Sequence, residues 1–275
     1  MGAGRAVVLG GGGLAGIAWM TGMLAAWEAA GLTPARDADT VVGTSAGSTV
    51  AAQATNRSPS DIYAGLTGDA PTAEEISPGR HSEEQIGALL EIMSQVPPPP
   101  ESELVDYYFA VPVDDSLAAA RREVIRQRCA GCAWRPGLVI TALSRRRRAR
   151  VTFDQTTGVP LADAVAASCA VPGLWPHVTV GGDDYIDGGM LSSTNADLAA
   201  GADPILVLQP DPRPDDLFPE AEKAARAGAL IVRPDERSWQ AAGSNPLDPA
   251  VRPACARAGY AQGELSVDRV RAYWG

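Results

Sequence analysis

Residues 40–48 read Thr-Val-Val-Gly-Thr-Ser-Ala-Gly-Ser, and this stretch decides the fold of the chain. It contains Gly-x-Ser-x-Gly at Gly43, Ser45 and Gly47, between a short apolar run and Ala- and Val-rich sequence at residues 49–54. The pattern predicts a strand, a tight turn and a helix, with Ser45 in a strained conformation that exposes its hydroxyl. The glycines remove side chains that would clash where strand and helix cross. We interpret Ser45 as a candidate nucleophile, with an ordinary structural turn as the alternative.

The chain offers few bases for this serine. Its two histidines are His81 and His177, whereas hydrolases with a catalytic triad on an α/β fold place Asp or Glu, and then His, after the serine. The most distinctive acidic residue after Ser45 is Asp187, in Tyr-Ile-Asp-Gly-Gly at residues 185–189, and no histidine follows it. We expect structural roles for both histidines. The sequence therefore favours a Ser45–Asp187 dyad, whose carboxylate must be partly desolvated to act as a base.

A second glycine-rich segment precedes the serine. Residues 5–16 read Arg-Ala-Val-Val-Leu-Gly-Gly-Gly-Gly-Leu-Ala-Gly, which predicts a buried strand, a glycine loop and a helix. Such a loop can turn several backbone N–H groups toward one point and so form an oxyanion hole. The predicted donors are those of Gly11, Gly12 and Gly13, together with Ala46 directly after the serine.

The same loop also satisfies a dinucleotide-binding pattern. Gly11, Gly13 and Gly16 match Gly-x-Gly-x-x-Gly, which requires an acidic residue at the end of the following strand. Asp37 and Asp39 have roughly the right spacing, but they precede that strand, which ends in the serine turn instead. A nucleotide-binding protein therefore stays open as a weaker alternative.

Taken together, these motifs resemble the patatin-like phospholipase family. That family carries Gly-Gly-Gly-x-Arg/Lys-Gly, then Gly-x-Ser-x-Gly, then Asp-Gly-Gly or Asp-Gly-Ala, and here the three stand in that order at residues 11–16, 43–47 and 187–189. An Ala- and Ser-rich block with two prolines at residues 167–176 and an asparagine at Asn195 add to the resemblance, which covers roughly residues 5–210. It implies a serine acyl hydrolase that cleaves carboxylic esters of lipids through Ser45 and Asp187.

One position departs from the family pattern. Ala15 stands where the family usually has Arg or Lys, so the oxyanion hole would be built from backbone alone. The loss of this cation puts a preference for phospholipids over neutral esters in doubt. The motifs are also compatible with an acyltransferase that uses the same dyad, and with a lipid-binding protein that has no catalytic activity.

The length and pattern of the chain predict its architecture. With 275 residues, 45% of them hydrophobic, the chain can bury the core of one domain. We expect a three-layer α/β/α sandwich with a mostly parallel central sheet. The predicted strands are residues 6–9, 40–43, 138–143, 149–153, 178–186 and 204–208. Residues 55–125 are predicted to be a lid or cap insertion, and residues 211–275 to be C-terminal helices packed on the core.

A run of arginines stands out from an otherwise acidic chain. The formal net charge of −10 argues against a general nucleic-acid binder. Arg145, Arg146, Arg147 and Arg148 lie between two strand-like segments, so we expect them at the tip of a hairpin. They could contact the anionic headgroups of a membrane, or they could form a solvated turn.

The remaining features predict a protein without a cofactor. Cys129 and Cys132 form a lone Cys-x-x-Cys that lacks a second pair of ligands, so we expect no metal and assign the two cysteines to a helix end. No apolar run is long enough to span a membrane, and the first strand begins too early for a signal peptide. With only four cysteines in 275 residues, the sequence predicts a cytoplasmic protein.

Overall fold

The computed structural model describes residues 4–68, 75–76, 100–212 and 218–275. Within these residues, eight strands form one sheet. The strands are β1 (Ala6–Leu9), β2 (Thr40–Gly43), β3 (Leu138–Ser144), β4 (Ala149–Phe153), β5 (Val178–Val180), β6 (Asp183–Asp187), β7 (Ile205–Leu208) and β8 (Leu230–Val232).

The sheet is mostly parallel, as the sequence predicts. Strands β3, β2, β1, β7 and β8 are parallel neighbours in that order, while β4 and β6 run antiparallel to β3, and β5 pairs with β6. Leu9 of β1 is level with Gly43 of β2, which is level with Ile140 of β3. The glycine loop after β1 and the serine turn after β2 therefore emerge side by side at one edge of the sheet, where open parallel sheets bind ligands.

Helices cover both faces of this sheet. They are α1 (Gly13–Ala29), α2 (Pro34–Asp37), α3 (Ala46–Ala54), α4 (Pro59–Thr67), α5 (Glu101–Ala110), α6 (Ala118–Arg128), α7 (Leu161–Ser168), α8 (Glu220–Arg226), α9 (Glu236–Ala242) and α10 (Arg252–Trp274). Short 3₁₀ helices lie at Asp115–Leu117, Gly188–Met190, Ala196–Ala199 and Pro249–Val251.

Alternation along the central strands creates the layers. Val7 and Leu9 point into the larger apolar cluster, which they share with α1, α3, α7 and α10. Ala6 and Val8 point to the opposite face and pack against the 3₁₀ helix Ala196–Ala199. Because successive side chains of a strand face opposite ways, short runs of apolar residues supply both interfaces. The predicted three-layer α/β/α arrangement is confirmed.

Glycines bring the first and last long helices into backbone contact. A Cβ on Gly22 of α1 would overlap the carbonyl oxygen of Ala256, and a Cβ on Gly259 of α10 would overlap that of Trp19. The indole Nε1 of Trp27 donates to the Ser266 hydroxyl at 2.9 Å across the same interface. Helix α10 therefore lies directly on the helix that leads away from the glycine loop.

The structure differs from the sequence expectations in two places. The predicted strand 178–186 is a hairpin, β5 and β6, which turns at Gly181 and Gly182 with φ angles of 59° and 76°. The C-terminal third, predicted as helices, also contains strand β8. Strand β8 escapes prediction because three apolar residues beside a helix have no usable periodicity.

Much of the predicted lid lies outside the described residues. Within residues 55–125, the structure describes α4, the pair 75–76, α5 and α6. Helix α4 packs against α1 and α10, and α6 packs against α7. A lid role for residues 55–125 stays a prediction, as does the single domain spanning residues 1–275.

Candidate active site

Ser45 lies at the turn between β2 and α3. Its φ and ψ of 53° and −120° are unusual for a residue with a side chain, and it is partly exposed although Thr44 and Ala46 are buried. A Cβ on Gly43 would lie 2.7 Å from the Ser48 Cα, and a Cβ on Gly47 would overlap the carbonyl oxygen of Leu9. The two glycines therefore permit the crossing of strand and helix that holds the hydroxyl at the sheet edge.

The backbone of Ser45 is fixed by a segment to which the sequence patterns assign no role. Its N–H donates to the Ser168 Oγ at 2.9 Å, and its carbonyl oxygen accepts from the Ser48 Oγ at 2.6 Å and the Cys169 Sγ at 3.2 Å. Ser168 and Cys169 belong to the Ala- and Ser-rich block before the prolines, which is the only sequence signal that could have indicated them. These hydrogen bonds stabilise the strained backbone conformation of Ser45.

Asp187 ends strand β6 beside this turn. It is only 2% exposed, and its Oδ1 accepts the Gly189 N–H at 2.7 Å. A Cβ on Gly189 would lie 3.0 Å from that Oδ1 and 3.9 Å from the Ser45 Cβ, so both side chains lie close to Gly189. The structure thus brings the two residues of the predicted dyad together and withdraws the carboxylate from water.

Asn195 connects the serine turn to the aspartate turn. Its side-chain amide donates to the Thr44 Oγ1 at 3.0 Å and to the Gly188 carbonyl oxygen at 3.3 Å, while Arg150 donates to its Oδ1 at 2.9 Å. Asn195 has a φ of 52°, a left-handed conformation that asparagine tolerates better than most residues. It is fully buried, so it positions the residues adjoining Ser45 and Asp187 without contacting the cavity.

Of the three amides that the sequence predicts the glycine loop to contribute, two have no acceptor among the described residues and one has an acceptor. The Gly11 N–H donates to the Ser193 carbonyl oxygen at 2.8 Å, so Gly11 does not belong to the oxyanion hole. A Cβ on Gly11 would lie 3.9 Å from the Ser45 Oγ, which shows how closely the loop approaches the hydroxyl. In the described part of the chain, the N–H groups of Gly12, Gly13 and Ala46 donate to no backbone or side-chain acceptor.

These groups open into a cavity of about 730 Å³. The three motif turns at residues 11–13, 43–47 and 187–189, which we call the motif wall, contribute Gly11, Gly12, Gly13, Ser45, Ala46, Asp187 and Gly189 to its lining. A second set of lining residues, which we call the helical wall, comprises Arg121 and Arg128 of α6 and Ser238 and Trp239 of α9. Leu14, Ile17, Trp19, Leu174, Trp175 and Met190 give the cavity a largely apolar lining, suited to a hydrocarbon chain.

The segment after α9 completes the cavity beside the glycine loop. The carbonyl oxygen of Pro246 accepts the Ala15 N–H at 2.9 Å, which satisfies one free donor in the first turn of α1. A Cβ on Gly13 would lie 2.9 Å from this same oxygen. Ala15 itself is buried against Cys255 and Ala256. The position at which the family usually has a cation is therefore packed beneath the C-terminal helix.

The cysteine beside Ser45 is unsuited to act as a competing nucleophile. Burial, and after it the charge of Asp187, raises the pKa of the Cys169 thiol above its usual value. A thiol in this state is not ionised at neutral pH and is therefore unreactive. Cys129 and Cys132, the predicted helix-end pair, lie just after α6, and both thiols are free.

Neither histidine lies beside Ser45 in the described structure. His177 lies 3.6 Å from the Asp184 carboxylate and lines a separate, smaller cavity, and His81 is outside the described residues. The described residues contain no cluster of three or more side chains suited to hold a metal ion. No helix among them is long and apolar enough to cross a membrane.

The predicted arginine run does form a hairpin tip, between β3 and β4. Arg145 pairs with Asp184, and Arg148 pairs with Asp106. Arg146 and Arg147 make no ion pair within the part of the chain that the structure describes. The tip lies at the same edge of the sheet as Ser45, because β3 continues beyond the level at which β2 ends.

The chain was compared with known protein families and with solved structures, and one family matches it. The family described as patatin-like phospholipase matches residues 7–200. Among solved structures, VipD from Legionella pneumophila is 14% identical with a TM-score of 0.48, and the match covers 98% of this chain and 67% of that one. The type III effector protein ExoU is 18% identical with a TM-score of 0.40, over 96% of this chain and 53% of that one. None of the curated proteins matches the chain.

Proposed function

The chain belongs to the patatin-like phospholipase family, and from this we propose that it hydrolyses carboxylic esters of lipids with Ser45 as nucleophile and Asp187 as base. The observation that carries the proposal is the strained, partly exposed Ser45 together with the buried Asp187 carboxylate, both of which lie close to Gly189. The shape and lining of the cavity support an acyl chain as the group that is bound next to the serine.

The first half of the reaction forms an acyl-enzyme. Asp187 accepts the proton of the Ser45 hydroxyl while the Oγ attacks the carbonyl carbon of the ester. The negative charge that develops on the carbonyl oxygen is stabilised by the N–H groups of Gly12, Gly13 and Ala46 and by the N-terminal end of α3. The tetrahedral intermediate then collapses, the C–O bond to the alcohol breaks, and the alcohol leaves with the proton from Asp187.

The second half releases the acid. Asp187 takes a proton from a water molecule, whose oxygen attacks the acyl-enzyme carbonyl, and the same amides stabilise the second oxyanion. Collapse breaks the bond to the Ser45 Oγ, which recovers its proton from Asp187, and the free fatty acid leaves the cavity. Asn195 keeps the two turns in register throughout, because it is hydrogen-bonded to both.

The hairpin tip supports a peripheral contact with an anionic membrane. Arg146 and Arg147 are exposed beside the edge of the sheet that carries Ser45, so they would meet the headgroups of the bilayer that supplies the substrate. Each arginine near such a surface strengthens binding about fivefold. Sedimentation with anionic vesicles should fall in the Arg146→Gln/Arg147→Gln variant, with zwitterionic vesicles as the reference. Equal sedimentation of variant and wild type would leave the tip as a solvated turn.

Labelling with a fluorophosphonate probe tests the hydrolase directly. We expect label on Ser45, located by mass spectrometry, and its loss in both Ser45→Ala and Asp187→Asn. Ester hydrolysis in Ser45→Ala should fall by about four to six orders of magnitude, as in other serine hydrolases. Products formed with added glycerol distinguish hydrolysis from acyl transfer. Absence of label in detergent or lipid vesicles would instead indicate a lipid-binding protein without catalysis.

A further inference from the structure

Two arginines of α6 line the cavity, and only one of them has an ion-pair partner among the described residues. Arg128 pairs with the Glu75 carboxylate, to which Arg252 also donates at 3.4 Å, so that charge is shared within a buried cluster. Arg121 lies seven residues earlier on the same helix and lines the same cavity. Across the described residues, no carboxylate lies within ion-pairing distance of its guanidinium.

Arg121 is desolvated nonetheless. Its guanidinium stacks on the Trp175 ring, 4.1 Å from the centroid. Burial, followed by the charge of Arg128, lowers the pKa of Arg121 to about 10, so the side chain remains cationic at neutral pH. A partly buried cation without a direct ion-pair partner is unfavourable, and stacking on an indole offsets only part of that free energy. The Arg121 guanidinium is therefore suited to pair with an anion that enters the cavity.

Arg121 also lies where two cavities meet. Together with Cys169 and Trp175 it lines both the main cavity and a smaller one of about 180 Å³, whose lining adds Arg122 and His177. The Cys169 Sγ is 3.2 Å from the carbonyl oxygen of Ser45, so this junction lies beside the serine turn. A lipid whose ester is held at Ser45 would occupy the same cavity that Arg121 lines.

We propose that Arg121 binds the phosphate group of a phospholipid or lysophospholipid whose ester is held at Ser45. This assignment rests on the proposed hydrolase function and names its specificity-determining residue. A planar guanidinium can donate two parallel hydrogen bonds to phosphate oxygens, which gives orientation as well as affinity. The cation that the glycine loop lacks at Ala15 is thus supplied from α6, in the helical wall of the same cavity.

The test compares substrates with and without phosphate. The kcat/KM for a lysophospholipid is divided by that for a monoacylglycerol of the same chain length, in wild type and in Arg121→Gln. Loss of a charge-assisted hydrogen bond should lower this ratio about 10- to 100-fold. Arg121→Lys should restore part of it, because an ammonium keeps the charge but not the paired geometry. Arg126→Gln, an exposed arginine of the same helix, is the matched control and should leave the ratio unchanged.

A binding measurement separates this proposal from the hydrolase itself. Calorimetry on Ser45→Ala, with and without Arg121→Gln, uses an ether-linked lysophospholipid and the corresponding neutral ether lipid, neither of which can be cleaved. If Arg121→Gln weakens binding of the phosphate-containing lipid but not of the neutral lipid, the assignment is supported, even if the fluorophosphonate fails to label Ser45. Equal loss for both lipids, or a ratio that Arg121→Gln does not change, overturns it. So does inhibition by inorganic phosphate that depends on Arg121 without any preference between the lipids, because the residue would then bind free phosphate.

Discussion

The motif wall and the helical wall of the cavity are held in different ways. In the motif wall, backbone atoms approach so closely that glycine is required, as Gly47 against Leu9 and Gly188 against Thr141 illustrate. In the helical wall, the residues are positioned by contacts between side chains, such as the stacking of Arg121 on Trp175 and the ion pair of Arg128 with Glu75. Constraints of the first kind tolerate no change of shape, whereas those of the second kind can be weakened by degrees. Substitutions in the motif wall should therefore abolish activity, and those in the helical wall should adjust it.

Gly47→Ala is the substitution from which we expect the largest loss of activity and stability. The added Cβ would overlap the Leu9 carbonyl oxygen, so the start of α3 must move away from the end of β1. We expect hydrolysis below detection and a loss of at least about 3 kcal/mol of folding free energy, measured by chemical denaturation. Gly65→Ala in α4 is the matched control, since nothing lies within 4 Å of its Cβ position. That change should stabilise the protein by about 0.5–1 kcal/mol. A stable, active Gly47→Ala protein would contradict the account of the motif wall.

Asp187→Asn should have the next largest effect. The amide keeps the size of the carboxylate but cannot accept the proton of Ser45, so kcat should fall by about four orders of magnitude with little change in melting temperature. Asp184→Asn, in the same strand, is the control, and its kcat should stay within a few-fold of wild type. A comparable loss in both variants would mean that the damage arises from the strand rather than from the base.

Asn195→Ala tests positioning without removing a reacting group. The change breaks the bridge between Thr44 and Gly188 and places alanine in a left-handed conformation. We expect kcat to fall about 10- to 100-fold while KM changes little, because the substrate does not contact Asn195. An equal rise in KM would indicate that the cavity itself has been reshaped.

Glu75→Gln should have the smallest effect on the chemistry. Removal of this carboxylate leaves the buried Arg128 and the largely buried Arg252 without their shared anion, which should cost about 3 kcal/mol of stability. Labelling of Ser45 by the fluorophosphonate should persist at temperatures below the new melting point, because the motif wall does not depend on this cluster. Glu123→Gln removes an exposed pair with Arg126 and should leave the melting temperature unchanged. Loss of labelling in a folded Glu75→Gln protein would show that the two walls are coupled.

The difference between the two walls also explains which parts of the site can be predicted from the sequence. The turn at Ser45, the adjacent Asp187 and the parallel core strands are predictable because each depends on residues that are neighbours in the chain. Arg121, by contrast, acquires its place from contacts with Trp175, which lies far away in sequence, and no local pattern indicates it. Local pattern also does not tell which glycine amides are already hydrogen-bonded, as the Gly11 N–H is to the Ser193 carbonyl oxygen.

The contact between α1 and α10 has a consequence for how the protein reaches its working state. The two helices meet through Gly22 and Gly259, and the hydrogen bond from Trp27 to Ser266 spans 239 residues of sequence. Contacts this distant form late in folding, because a long loop must close before they are gained. Since α1 begins at the glycine loop, a refolding chain can form its serine turn before the packing of α10 on α1 fixes the position of that loop. Recovery of catalytic activity should therefore lag behind recovery of secondary structure, and a kinetic trace of activity would report the docking of the last helix.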